Sequence, residues 1–132
     1  MDKKQKHLEF IQNVIIRMNS NSFLIKGWTI TLVSALFMLA TRDANVKYVI
    51  ISYFAIPVFW ILDGFYLSQE RQYRDLYNDV TKRSDSEIDF SMNASDFNSA
   101  KNTWFCSIFS KTSFLFYSIS IAIVFTVLNF IN

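Results

Sequence analysis

Three stretches of this chain are apolar for long enough to cross a bilayer, and that feature alone removes most folds from consideration. Residues 23–40, 48–67 and 114–131 each fall in the range of about 17 to 25 residues that a spanning helix needs. Hydrocarbon cannot hydrogen-bond a bare backbone, so such segments must be helical. Composition agrees: 52% of residues are hydrophobic and 17% aromatic, while Gly 2 and Pro 1 leave too few turn residues for an all-β plan or a phosphate-cradling loop. The expected fold is an all-α integral membrane protein with three transmembrane helices, an N-terminal amphipathic helix and a cytoplasmic extension of the second transmembrane helix. Its parts are residues 1–21 (amphipathic, cytoplasmic), 22–67 (transmembrane hairpin), 68–113 (cytoplasmic helix and loop) and 114–132 (third transmembrane helix).

Charge gives the orientation. Of the 13 Lys and Arg, only Arg42 and Lys47 lie between the first two spans, and none follows the third. The positive-inside rule then places the N-terminus in the cytoplasm and the C-terminus outside. A net charge of +2 does not by itself point to nucleic acid. Residues 1–21 precede the first span without a clean cleavage site, which argues against a removed signal peptide. The lone Cys106 excludes an internal disulfide.

In residues 1–21, Leu8, Ile11, Val14, Ile15 and Met18 recur at spacings of three and four, with charged and amide side chains opposite. That is an amphipathic helix, suited to lying on the inner leaflet or to bundling with copies of itself. His7 is expected on its polar side. Asn19, Ser20, Asn21 and Ser22 read as a break before the first span. Within that span Gly27, Thr31 and Ala35 repeat every four residues, and Ser118, Ala122 and Thr126 do the same in the third. Small residues at this spacing let helices approach closely in lipid; the stripes fit a contact between copies or a contact with each other.

The second span is crowded with aromatics and contains Pro57, which removes a helical hydrogen bond and should kink it. Asp63 lies about a turn inside the inner interface, level with Lys26 on the first span. Ionisable groups at that depth are costly and are candidates for function. Two readings stand: a Lys26–Asp63 pair that fixes helix register, or an Asp63 that lines a cation path. The helix continues as a polar rod, supported by Glu70–Arg74 and Asp79–Arg83 at i,i+4. Its Arg71, Arg74, Lys82 and Arg83 could bind an anionic signal, although a solvated charged face is the commoner meaning. Residues 84–93 read as an acidic loop, and Ser95 or Asp96 as the cap of a further helix leading to the third span.

Catalytic patterns are absent: no nucleophile with a base, no metal-ligand cluster and no Gly-rich phosphate loop. Asp85, Glu87 and Asp89 lack the Gly turn and final Glu of a calcium loop. The sequence therefore speaks against an enzyme, a cofactor or a metal.

The text IKGWTITLVSALF (25–37) with FWILDGFYLSQERQYRDLY (59–77) resembles small bacterial membrane effectors of antiphage defence, chiefly the transmembrane effector of Hailong systems, and is similar in plan to the SLATT effectors. The resemblance covers residues 10–79 and excludes the third span. It implies a homo-oligomeric, tetrameric channel that depolarises the bacterial inner membrane in abortive infection. It also implies control by a partner nucleotidyltransferase and its oligonucleotide product, with the N-terminal segment (Leu8, Ile11, Val14, Ile15, Met18) as gate. The alternative is a non-conducting membrane adaptor that anchors a soluble enzyme through residues 68–111. A phage holin has three spans as well, but the charge map puts this N-terminus inside instead of outside.

Overall fold

A computed structural model describes residues 2–43 and 45–131; Met1, Ala44 and Asn132, which fall in the segments 1–21, 22–67 and 114–132, lie outside the described residues. Helix α1 (Lys3–Asp43) and helix α2 (Lys47–Thr81) reach about 60 and 50 Å at ~1.5 Å per residue. Only residues 44–46 join them, so they run antiparallel. Three single 3-10 turns follow at Asp85–Glu87, Ser95–Phe97 and Ala100–Asn102, then the short α3 (Trp104–Ile108) and α4 (Lys111–Ile131). The described residues are helical or irregular throughout. Helices α1, α2 and α4 are each long and apolar enough to cross a membrane, which is compatible with a multi-pass membrane protein.

Two apolar cores are stacked along the hairpin. One is built from Val33 and Ala40 of α1, Val49 and Ile56 of α2, and Tyr117 and Val124 of α4. The other joins Ile11 and Ile15 of α1 to Leu76 and Val80 of α2, capped by Ala94 of the returning loop. Outside the first core many large apolar side chains face outward, among them Phe23, Trp28, Met38, Phe54 and Phe125. An apolar exterior this extensive needs lipid or another apolar surface to cover it.

Two expectations fail here. Helix α1 does not break at residues 19–22, so residues 3–21 of the amphipathic segment are the first half of one long helix and not a separate element. Asn and Ser cost a helix at most about 0.7 kcal/mol each, whereas Ile15, Ser22, Ile25 and Thr29 keep one stripe turned to α2 across that stretch. The helix expected from Ser95 or Asp96 begins instead at Trp104, capped by Thr103. Asn102 Nδ2 bonds Asp75 Oδ2 at 2.5 Å and Phe97 O at 3.0 Å, and Ala100 takes a positive φ of 51°, so this segment is tied to α2 in turns. Helix α2 runs through Pro57 and continues on both sides.

The two glycines have opposite surroundings. A Cβ at Gly64 would meet Ile108 Cγ1 at 2.5 Å and Ile108 Cα at 3.1 Å, while a Cβ at Gly27 would meet nothing within 4 Å. Helix α3 therefore rests directly on the α2 backbone. Gly64→Ala is expected to push α3 away at a cost of about 1–3 kcal/mol, read as a lower melting temperature in detergent and a shifted tryptophan emission from Trp104. Gly27→Ala should leave both unchanged or raise the melting temperature slightly.

Candidate functional site

Between the two cores lies a polar centre built on Asp63. Its position follows from the stripe that buries α2: Ile56, Asp63 and Gly64 sit on the side turned to the other helices, so a carboxylate is carried into the bundle interior. It is wholly buried, and a buried carboxylate must have its lone pairs filled by donors. Lys26 Nζ lies 2.5 Å from Oδ2. Ser22 Oγ donates to Oδ1, Tyr117 OH donates to Oδ2 at 3.0 Å, and Ser113 Oγ makes a long contact at 3.5 Å. Lys26 also reaches Ser22 Oγ at 3.1 Å. One carboxylate thus binds α1, α2 and α4 together.

The indole of Trp60 completes the centre. It stacks on the Tyr117 ring at a centroid distance of 5.7 Å and 11° and donates Nε1–H to Ile108 O at 2.7 Å. Trp104 returns the connection, donating to Ile61 O at 2.9 Å. The elbow between α3 and α4 is therefore held at the height of Asp63. Ser22, Ser113 and Tyr117 were not among the expected site residues. A signal for two of them existed: Ser113 and Tyr117 are four residues apart, on the face of the third span opposite the small-residue stripe.

The remaining candidates separate into three groups. Gly27, Thr31 and Ala35 all face outward, as do Ala122 and Thr126, with Ser118 half-buried; the two stripes do not pack on each other. Ile11 and Ile15 of the gate set are docked on Leu76 and Val80 of the same chain, with Leu8 packed beside them and Val14 and Met18 half-buried. Of the basic candidates, Arg74 bonds Glu70 Oε1 at 2.8 Å, Arg83 bonds Asp79 Oδ2 at 2.6 Å, and Arg71 donates to Lys101 O at 2.6 Å. Lys82 is exposed. An anion would have to displace these carboxylates: Asp79 is partly exposed and gives up Arg83 at small cost, whereas Glu70 is buried and would be left without its partner.

His7 corrects an expectation. It lies four residues before Ile11, on the same stripe, and is fully buried rather than on the polar side. Its Nε2 is 2.8 Å from Ser91 O and its ring is 5.6 Å from that of Phe90, so it fastens the acidic loop to α1. In that loop the Ser91 backbone N–H, and after it the Arg83 guanidinium, hold the Asp89 carboxyl below the usual carboxylate range. Among the described residues no group of His, Cys, Asp and Glu is placed to hold a metal ion. Compared with protein-family models, with curated proteins and with solved structures, the chain matches none.

Proposed function

We propose that this protein is a bacterial inner-membrane effector whose copies assemble through α1 and α4 and conduct ions along a path between subunits. The observation that carries this reading is the outward, uncovered position of Gly27, Thr31, Ala35, Ala122 and Thr126 among large outward side chains such as Phe23, Trp28, Met38, Ile123 and Phe125. In lipid, close packing on small side chains is what drives helices together. Asp63 takes the register role: its oxygens are filled by donors of its own subunit, which leaves it unsuited to line a water-filled path. With the N-terminus cytoplasmic, the core of Ile11, Ile15, Leu76, Val80 and Ala94 forms a head on the inner side.

The resemblance to Hailong-type effectors adds the biological setting, a depolarising channel of antiphage defence governed by a nucleotidyltransferase product. The head is the natural place for such control, because release of Ile11 and Ile15 from Leu76 and Val80 would free the first half of α1, and Arg74, Lys82 and Arg83 flank that contact. Expression of the protein with a potential-sensitive dye tests conduction: loss of membrane potential is expected. Unaltered potential and growth, together with a monomer in detergent, would overturn the proposal.

A second reading has a specific observation in its favour. The Lys26–Asp63 pair neutralises both charges inside one subunit, and the loop from 84 to 103 is tied to α2 as part of a folded head, as a non-conducting adaptor requires. That reading expects a single co-purifying soluble partner, no ion leak and tolerance of substitution at Pro57.

A further inference from the structure

Between α1, α2 and the start of α4, adjoining the Asp63 centre, lies a cavity of about 270 Å³. That is room for a phosphate group and several waters. Its walls bring Lys26 from α1, Arg71 from α2 and Lys111 from α4 to one place, with Ser110 and Ser113 beside them. Both serines are nearly inaccessible. One carboxylate, Glu70, also faces the cavity, but Arg74 holds it with bonds of 2.8 and 3.2 Å.

The charges do not cancel. Lys26 is balanced by Asp63 and Glu70 by Arg74, which leaves Arg71 and Lys111 without a carboxylate partner among the described residues. Arg71 spends one N–H on Lys101 O; a carbonyl does not neutralise it, and a guanidinium has further donors to give. Lys26 Nζ has three hydrogens, of which Asp63 and Ser22 take two. The 21-residue α4 begins at Lys111, so the positive end of its dipole adds to the same side of the cavity.

Depth identifies the ligand. Phe105 and Phe109, immediately before Lys111, are 72% and 52% exposed, and Trp104 lies beside them. An exposed Trp such as Trp104, at 47%, belongs at the boundary of acyl chains and headgroups, and the neighbouring phenylalanines suit the acyl side of it. The charge map places that boundary on the cytoplasmic leaflet, whose surface is anionic, and basic pockets between helices on that side suit lipid phosphates.

We propose that this cavity binds the phosphate group of an anionic phospholipid of the cytoplasmic leaflet, with Arg71 and Lys111 supplying charge and Lys26 and Ser110 supplying hydrogen bonds. The phosphate then bridges the three helices where they leave the membrane and ties α4 to the α1–α2 hairpin. The proposal rests on the membrane placement of these helices and not on conduction.

The test is native mass spectrometry of the full chain released from micelles with phosphatidylglycerol, with phosphatidylcholine of the same acyl chains, or with inorganic phosphate. Phosphatidylglycerol should be retained over phosphatidylcholine, and Arg71→Gln with Lys111→Gln should weaken that retention at least about tenfold. Lys3→Gln with Lys4→Gln, an equal loss of charge far from the cavity, should not. Arg71→Lys with Lys111→Arg keeps the charges and should retain the lipid, which separates a lost site from a lost fold. Competition by inorganic phosphate supports the phosphate site. Binding of inorganic phosphate without phosphatidylglycerol overturns the lipid assignment, and equal retention of the two lipids, or of phosphatidylglycerol by the double Gln variant, overturns the site. Should the Gln variant not fold, wild-type melting decides: a rise with phosphatidylglycerol alone supports the proposal, and equal rises with both lipids overturn it.

Discussion

Asp63→Ala is expected to destabilise the bundle by about 3–5 kcal/mol, the cost of leaving a buried charge without its partner. The burden falls on Lys26, whose side chain is 17% exposed and which loses its counter-ion beside Ser22 and Tyr117. The three helices lose their shared acceptor at the same stroke, so the loss should appear as separation of α4 from the hairpin. Denaturant titration in micelles, followed by the emission of Trp60, measures it. Lys26→Met combined with Asp63→Leu should recover most of the stability, because replacing both members of a buried pair by apolar groups is often neutral or better. Asp63→Asn separates the two roles proposed for this residue. Weakened assembly supports the register pair, whereas intact assembly with changed ion selectivity would restore Asp63 to the lining of a path.

The second large effect concerns the outer surface. Gly27→Leu with Ala35→Leu is expected to leave the subunit folded and to weaken self-association by at least about tenfold, or ~1.4 kcal/mol. Nothing in the subunit opposes the change at Gly27, where an added Cβ has open space, and removing a mid-helix glycine favours α1 by up to about 1 kcal/mol. The variant should therefore melt no lower than the wild type while its copies come apart and the membrane potential recovers. Ala122→Leu with Thr126→Leu applies the same test to α4, and the comparison shows which stripe makes the contact. Undiminished association in both variants would remove the small-residue stripes from the interface.

Much of the fold was legible in the sequence because apolar run length is a direct physical constraint. The three long helices, the antiparallel hairpin and the approach of Lys26 to Asp63 all follow from it. What escaped was set by packing between distant segments. Asn19 to Ser22 looked like a break because local propensity was weighed without the α2 surface that Ser22 and Ile25 face. His7 looked polar because one histidine among lysines carries no sign of the loop that buries it. The loop itself, held by Asn102, Trp104 and Ser91, makes contacts 19 to 84 residues away in the chain, and no short-range pattern announces them. Tyr117 was hidden for a different reason: a tyrosine in an aromatic-rich span is ordinary until the carboxylate it serves is located.

The most direct measurement is the mass of the detergent-purified protein after correction for bound detergent. A multiple of the 15.5 kDa subunit is expected, four copies if the resemblance to the tetrameric effectors extends to assembly, with a decrease to one subunit in Gly27→Leu with Ala35→Leu. A wild-type particle of 15.5 kDa at every protein concentration would contradict it, since a path between subunits needs more than one.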